Sequence, residues 1–187
     1  GKEMRATSLH GNNSVGMLDD MPAGEVYKKY LNLDLDEYFV TNISEFPLLV
    51  SRNGCSIARV PISFDDDSGL YFSGDIRKDD EIRLSYGNAQ EILENTWRAS
   101  EEMRKFRPEG IFLIMCGGRN LFMKEDAKQE VEGFRRLQSQ MTVCYAASEI
   151  YRHQGQGGLL NKALVAVGMR EGVALSAKEN DVEQSPV

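Results

Sequence analysis

The stretch IFLIMCGGRN, residues 111–120, joins an apolar run to two glycines, an arginine and an asparagine. Residues 111–116 carry no charge and no hydroxyl group, which predicts a strand of a buried sheet. The two glycines let the backbone turn sharply directly after that strand. Polar side chains at the end of a buried strand can line a pocket, so Cys116 and Arg119 are candidate site residues. A ligand pocket, a phosphate cradle, an active-site thiol and an ordinary tight turn all fit this stretch by itself.

Length and charge limit the classes of protein to which the chain can belong. Its 187 residues suggest one domain. With 22 basic and 29 acidic side chains, the formal net charge is −7, so the chain lacks the basic surface of a nucleic-acid-binding protein. The longest apolar run is far shorter than the roughly 20 residues that span a bilayer, and no segment has the order of a secretory signal. We therefore expect no nucleic-acid partner, no membrane insertion and a cytoplasmic location.

Side chains that could hold a metal or a cofactor are sparse. The three cysteines, Cys55, Cys116 and Cys144, form no C-x-x-C pair, which indicates a reducing compartment and argues against a zinc site. His10 and His153 lie at no recognisable ligand spacing to them. Neither G-x-G-x-x-G nor G-x-x-x-x-G-K-[ST] occurs in the chain. We predict that the protein holds no metal and no cofactor.

Catalysis by the Cys116 thiol is the enzymatic alternative. A thiol needs a base or a positive environment to become a nucleophile, and His153 could approach it from a glycine-rich segment. A free cysteine at a strand end more often packs as a small hydrophobic residue. The C-x-x-R spacing from Cys116 to Arg119 is also too short for the phosphate-binding loop of a cysteine phosphatase. We therefore predict no catalytic residue.

The first half of the chain has the pattern of a short helix followed by strands. Residues 1–16 are polar, so we expect them to be weakly structured. A helix should begin near Pro22, because proline is favoured in a first helical turn. Apolar and alternating runs then predict strands, and their short connections favour antiparallel pairing. These strands are expected over residues 38–41, 47–52, 56–61, 70–73 and 81–86, with a hairpin turn at Asn53-Gly54.

The second half alternates helices with long apolar strands. Helical periodicity predicts helices over residues 88–104, with Trp97 as the buried anchor, and over residues 125–138. Residues 141–146 and 159–169 are apolar enough to predict strands that are buried on both faces. The whole pattern predicts an α+β fold, in which a largely antiparallel or mixed β-sheet packs with two long helices and a short N-terminal helix.

Polar side chains also accompany the other apolar strands of the second half. Ser148 and Glu149 follow one of them, and Asn161 lies inside the next. Together with Cys116 and Arg119, these side chains can converge on a small ligand in a mostly apolar pocket. They can equally form an ion pair between Arg119 and Glu149, with Asn161 satisfying a backbone group. The residues alone leave both interpretations open.

Several segments have the order and spacing of one known family. They are LDDMPAGEVYKKYL (residues 18–31), FPLLV (46–50), IARVPISFDDDSGLYFSGDIRKDDEIRLS (57–85), IFLIMCGGR (111–119), ASEIY (147–151) and LLNKALVAVGMRE (159–171). Together they resemble the FIST C-terminal domain, named for F-box and intracellular signal transduction. On this resemblance we divide the chain into a weakly structured segment (1–16), a sensor domain (17–172) and a polar tail or linker (173–187).

The resemblance implies a non-catalytic sensory domain of bacterial signalling proteins, which binds a small polar ligand such as an amino acid or a carboxylate. The implied partners are a FIST N-terminal domain and an output module, such as a diguanylate cyclase or a histidine kinase, in the parent chain. A homodimer is left open. The alternative function is a protein-interaction or dimerisation module without its own ligand.

The resemblance favours the pocket interpretation of the polar set, so the predicted ligand-binding residues are Cys116, Arg119, Ser148, Glu149 and Asn161, with Arg119 as a donor that faces an anion. One departure from the family pattern lies inside this set. Ser148 stands where the family usually has a glycine before the Glu-Ile pair. A side chain at this position would narrow the approach of the backbone to a ligand near Glu149.

Overall fold

The first half of the chain folds into two antiparallel sheets around one core. The computed structural model describes residues 1–52, 55–138, 140–153 and 156–172. The elements of this half are strands β1 (Glu3–Met4), β2 (Ala6–Leu9), β3 (Ser14–Leu18) and β4 (Met21–Pro22), helices α1 (Ala23–Leu31) and α2 (Phe39–Asn42), a 3-10 turn (Ile43–Glu45), and strands β5 (Leu48–Arg52), β6 (Cys55–Arg59), β7 (Pro61–Phe64), β8 (Leu70–Phe72) and β9 (Glu81–Leu84). One sheet has the order β1-β9-β5-β6, and the other has the order β2-β3-β8-β7 with β4 on β3.

Helix α1 closes the core of this half, and it begins directly after Pro22, where the sequence predicts a helix. Pro22 precedes the helix with φ −50°, a value that suits the entry into a helix. Asn32 ends it in the left-handed conformation at φ 55°. Val26 and Tyr27 on the inner face of the helix are buried in the core, so this short helix is held by its apolar stripe.

The prediction that residues 1–16 are weakly structured is wrong. Strand β1 pairs with β9, and β2 pairs with β3, both antiparallel. These pairings bury Met4, Ala6 and Val15. The sequence gives little sign of this because each strand is short and polar, and β1 finds its partner far along the chain.

The prediction of a strand over residues 38–41 is also wrong, because this segment forms the helical turn α2. The turn inserts Phe39 into the core, with its ring edge-on to Tyr27 at 6.0 Å between centroids. A second edge-on contact joins Phe39 to Phe64 at 5.7 Å. Aromatic and β-branched residues favour strands only where strand packing suits them, and here the aromatic contacts decide the conformation.

The second half folds around the strand that the apolar run predicts. Its elements are α3 (Ala89–Phe106), β10 (Gly110–Cys116), α4 (Gly117–Met123), a 3-10 turn (Lys124–Asp126), α5 (Ala127–Arg135), β11 (Met141–Ala146), β12 (Glu149–His153), β13 (Gln156–Leu160) and β14 (Leu164–Met169). Strand β10 is the centre of a three-stranded sheet, parallel to β11 and antiparallel to β14. Strands β12 and β13 form a hairpin. The predicted α+β class, with antiparallel and mixed sheets, is confirmed.

Helices α3 and α5 cover one face of the β10 sheet. The alternation along β10 places Ile111, Leu113 and Met115 on this face, where they pack with Phe134 of α5. Strand β12 contacts β10 and β14, so the hairpin of β12 and β13 lies beside the same sheet. The carboxyl end of β10 is therefore enclosed by α4, the hairpin and the chain that leads into β14.

The buried stripe of α3 differs from the predicted one. Trp97 is 42% exposed and does not anchor the helix. The buried positions are Leu93, Thr96 and Ser100. Thr96 faces inward because its hydroxyl lies 2.7 Å from the buried Glu130 carboxylate of α5, so a polar contact between the helices sets the rotation of α3.

The strands that we expected to be buried on both faces have one exposed face. In β11, Thr142 and Cys144 are exposed. In β14, Val167 and Met169 are exposed. The helices cover the opposite face of these strands, so the apolar composition overestimates their burial in this chain.

The apolar run 159–169 is two strands rather than one. Residues 161–163, which we call the 161–163 turn, separate β13 from β14. Lys162 in this turn has φ 56°, a conformation that is uncommon for residues other than glycine. The break redirects the chain so that β13 pairs with β12, while β14 pairs with β10.

Two predictions fall on residues outside the described ranges, namely the hairpin turn at Asn53-Gly54 and the polar tail over residues 173–187. The strands that flank the turn are paired antiparallel, with Arg52 opposite Cys55. Among the helices of the described residues, none combines the length and the apolar character needed to cross a membrane.

Candidate functional site

The five predicted site residues all lie in or around the 161–163 turn, although they come from three different parts of the chain. The amide of Cys116 donates to the Ala163 carbonyl at 3.0 Å, and the amide of Ala163 donates to a Glu149 carboxylate oxygen at 3.3 Å. Asn161 donates from its side-chain nitrogen to the Ser148 hydroxyl at 2.9 Å. Arg119 donates to the backbone carbonyl of the middle residue of the turn at 3.3 Å. The fold thus brings together the residues that follow the apolar strands.

Arg119 is paired with a carboxylate that the sequence did not single out. Its Nε donates to Glu130 Oε1 at 3.0 Å, and its Nη2 contacts the same carboxylate and the Thr96 hydroxyl, the latter at 2.9 Å. Glu130 is completely buried. The ion pair that we weighed between Arg119 and Glu149 therefore forms with Glu130 instead. Most of the Arg119 donors face protein groups, while its role in ligand binding stays a prediction.

Arg59, on β6, is a second buried guanidinium and also escaped the sequence interpretation. It is 1% exposed. It donates to the Asp75 carboxylate at 3.0 Å, to the Asp75 carbonyl at 2.9 Å and to Asn161 Oδ1 at 3.1 Å, and it also reaches the Ala58 and Leu159 carbonyls. Burial lowers the pKa of Arg59, and Asp75 acts in the opposite direction. This network fastens the first half of the chain to the 161–163 turn.

A cavity of about 300 Å³ lies between the two halves, next to the same turn. Its apolar wall is formed by Pro47, Leu49, Ile92 and Phe122. Its polar lining comprises Ser44, Glu45, Ser85, Tyr86, Asn88, Glu91, Asn95, Arg119 and Lys162. An apolar wall faced by convergent polar groups is typical of a small-molecule site, and the volume lies at the lower end of the usual range.

The Lys162 side chain lines this cavity, and its ammonium group has one hydrogen-bond acceptor among the described residues. Its ammonium group is half-buried and donates to the Gly118 carbonyl at 3.0 Å. Within the described ranges it forms no salt bridge, and Glu45, which lines the same cavity, acts on it through its charge alone. Burial lowers the pKa of Lys162, and nearby Cys116 and Glu45 act in the opposite direction. A cation that is partly removed from water and has one neutral acceptor favours an anionic ligand.

On the other side of the 161–163 turn, the carboxyl group of Glu149 is hydrogen-bonded through one of its two oxygens. It is 1% exposed, and its Oε1 has no hydrogen-bond partner among the described residues. Burial raises the pKa of Glu149, while the Ala163 amide, the charge of Arg119 and the adjacent Cys116 thiol act in the opposite direction. The surroundings of this carboxyl group therefore oppose its ionisation more than water does.

The predicted set and the cavity overlap at one residue. Arg119 lines the cavity, whereas Cys116, Ser148, Glu149 and Asn161 lie behind it and support the turn. Sequence reasoning missed Lys162, although the chain offered a signal. A lysine inside an otherwise apolar run has no ready place in a buried strand, so it marks a break in the strand or a functional charge.

Metal binding has no support in the described residues. No group of three or more histidine, cysteine, aspartate or glutamate side chains is placed to hold a metal ion there. Cys116 is buried and Cys144 is exposed on the outer face of β11.

The comparison with known families gives one match. The family model of the FIST C domain matches residues 23–152, from helix α1 through strand β12, and so covers more than half of the chain. The match ends before the 161–163 turn. No curated protein and no solved structure matches the chain significantly. FIST C domains are associated with signal transduction and are not a known catalytic family. The chain belongs to the FIST C domain family.

Proposed function

We propose that this chain is a non-catalytic sensory domain of a bacterial signalling protein, which binds a small anionic or zwitterionic molecule such as a carboxylate or an amino acid. The observation that carries the proposal is the Lys162 ammonium group, which lines a cavity and has the Gly118 carbonyl as its hydrogen-bond acceptor. A ligand carboxylate would supply the missing counter-charge.

The location of the cavity supports a sensory role. The first half of the chain contributes the Ile43–Glu45 turn, β5 and the loop after β9, and the second half contributes α3, α4 and the 161–163 turn. A ligand that contacts both halves favours the arrangement in which they close on it. We infer that this change is passed to a FIST N-terminal domain and to an output module, such as a diguanylate cyclase or a histidine kinase, in the parent chain.

A thermal-shift screen of amino acids and carboxylates tests the proposal. Ligand at about one hundred times its Kd stabilises a fold by about 2.7 kcal/mol, which raises the Tm of a chain of this length by about 5–10 °C. Lys162→Met should abolish the shift, because methionine keeps most of the side-chain volume without the charge. Lys78→Met, at an exposed position outside the cavity, should keep it. A full shift in Lys162→Met would place the ligand elsewhere.

A dimerisation module is the second candidate function, and the exposed face of the β10 sheet favours it. Val167 and Met169 are exposed there, on strands whose composition predicts burial on both faces. A second copy of the chain could cover this face. Light scattering should then show a dimer that Val167→Lys dissociates and that Ile62→Lys, at an exposed position on β7, leaves intact. A monomer in the unchanged chain would contradict this candidate.

A further inference from the structure

A second cavity, of about 490 Å³, adjoins the cavity that contains Lys162. The two cavities share Leu49, Ser85, Tyr86 and Glu91 as lining residues. Tyr86 lies in the loop between β9 and α3 and is largely exposed, so no tightly packed core residue separates the two spaces at this point. The two cavities therefore meet at the Tyr86 side chain.

The wall of the second cavity is mainly apolar and is already held in place by the core. Met4, Tyr30, Leu31, Phe46 and Leu84 line it. Met4 is a member of the core of the first half, and Leu31, Phe46 and Leu84 pack against that core. A wall supported in this way is preformed, so a ligand need not order it on binding.

The charges around the second cavity do not call for a second anionic group. Lys2 is paired with Asp19 at 2.8 Å, and Arg83 is paired with Glu3. Glu91, which both cavities share, would repel a negative charge placed between them. The combined space thus has the Lys162 ammonium group at one end and a mainly apolar wall at the other.

We propose that the two cavities form one elongated site for an amphipathic monocarboxylate. Its carboxylate lies at Lys162, and its alkyl or aromatic body passes Tyr86 into the second cavity. This inference rests on the proposed function for the position of the carboxylate, and it adds the class of ligand. Free amino acids would fill the first cavity alone, whereas a longer body would also remove the apolar wall around Tyr30 and Phe46 from water.

Three probes that share a carboxylate test the inference by isothermal titration calorimetry. Octanoate should bind at least about tenfold more tightly than acetate, because its chain is transferred from water to the apolar wall. Suberate, which has a second carboxylate at the far end of the same chain, should bind at least about tenfold more weakly than octanoate, because that charge would be desolvated against the apolar wall of the second cavity. Equal affinities for octanoate and acetate, or for octanoate and suberate, would overturn the elongated site.

Matched variants locate the binding of octanoate. Tyr30→Glu places a carboxylate in the second cavity and should weaken octanoate at least about tenfold, while acetate changes less than about twofold. Tyr30 is 45% exposed, so the variant should fold, and its Tm without ligand checks this. Tyr38→Glu changes a tyrosine that is 61% exposed outside both cavities, and it should leave both affinities unchanged.

Failure of this inference is distinguishable from failure of the proposed function. If Lys162→Met weakens acetate and octanoate equally while Tyr30→Glu affects neither, the anion site stands and the elongated site is wrong. If Tyr30→Glu weakens octanoate while Lys162→Met does not, the carboxylate lies elsewhere and both proposals are wrong. Absence of any octanoate binding also overturns the elongated site.

Discussion

Arg59 and Lys162 are two cations beside the same turn, and they have opposite surroundings. The Arg59 guanidinium donates to a carboxylate, an amide oxygen and several backbone carbonyls, so its charge and its donors are satisfied within the protein. The Lys162 ammonium has the Gly118 carbonyl and faces a cavity. Burial by itself does not mark a functional cation. Under the proposed function, the lack of a hydrogen-bonded carboxylate is what marks Lys162, because a partly buried charge is tolerated where a ligand completes it.

The largest expected effect is on the free energy of unfolding when each of the two cations is replaced by methionine. Arg59→Met removes a donor from Asn161 Oδ1 and from three backbone carbonyls, while the Asp75 carboxylate keeps its contacts with Arg52 and Arg77. Because several buried acceptors lose a donor at once, we expect the free energy of unfolding to fall by about 3–5 kcal/mol. Lys162→Met loses one hydrogen bond to a neutral carbonyl and should change the free energy by about 1 kcal/mol or less in the absence of ligand. Urea unfolding of the two variants measures both quantities.

Arg77→Met provides the control for this comparison. Arg77 also contacts the Asp75 carboxylate, at 3.1 Å, but its side chain is exposed. An exposed ion pair contributes at most about 1 kcal/mol, so this variant should resemble Lys162→Met. Similar losses in Arg59→Met and Lys162→Met would break the distinction between a structural and a functional cation.

The ion pair of Arg119 and Glu130 gives a second test of the distinction between a structural and a functional cation. The pair is buried and hydrogen-bonded within the protein, and its Arg119 side chain also lines the cavity. Arg119→Met should lower the free energy of unfolding by about 3–5 kcal/mol, since it leaves the Glu130 carboxylate buried with Thr96 as its main partner. The double variant Arg119→Met/Glu130→Leu should recover most of this loss, because both charges are then absent. Urea unfolding of the single and double variants measures the coupling.

The thermal shift of the double variant with carboxylates then tells which of Lys162 and Arg119 supplies the main anion contact. If Lys162 supplies the main anion contact, the folded double variant should still show a thermal shift with carboxylates. If the shift is lost while the fold is kept, Arg119 is the ligand partner that the sequence interpretation proposed, and the pair with Glu130 is the arrangement without ligand.

Most of the second half of the fold could be predicted from the sequence because its signals are local. The apolar run that ends at Cys116 forms the central strand, and the helical periodicities on either side form α3 and α5. The failures involve partners that are distant in sequence. Phe39 enters a helical turn because of its contact with Tyr27, and β1 is a strand because β9 is available to pair with it.

The meeting of the candidate residues at one turn could be predicted from the sequence, but their pairings could not. Cys116, Glu149 and Asn161 do meet at one turn, because polar residues at the ends of neighbouring strands gather there. Arg59 and Asn161 are 102 positions apart, and no local pattern indicates that they are bonded. The alternation with the buried Ile57 does place Arg59 on the inner face of β6, so its burial, unlike its partners, was accessible from the sequence.

Glu149 is the acidic counterpart of Lys162, and its titration provides the smallest expected effect. Burial raises its pKa above the ordinary value of 4.5. The unfolded chain therefore releases this proton at a lower pH than the folded chain does. The contribution of Glu149 to stability is fully present below pH 4.5 and is lost as the pH rises through the raised value.

Glu149→Gln should therefore change stability in a pH-dependent way. Glutamine resembles the neutral carboxyl group at every pH and keeps an oxygen that can accept from the Ala163 amide. The two proteins should have similar free energies of unfolding at about pH 4, and the variant should be more stable by about 1 kcal/mol at about pH 7.5, where the unchanged chain must ionise a buried group. Glu149→Ala removes the acceptor as well and should be less stable at both pH values. Urea unfolding at the two pH values measures these differences in the free energy of unfolding. A glutamine variant that is less stable by the same amount at both pH values would contradict this expectation. Glu149 would then be a charged group whose partners lie within the protein, as those of Arg59 do, and would not resemble Lys162.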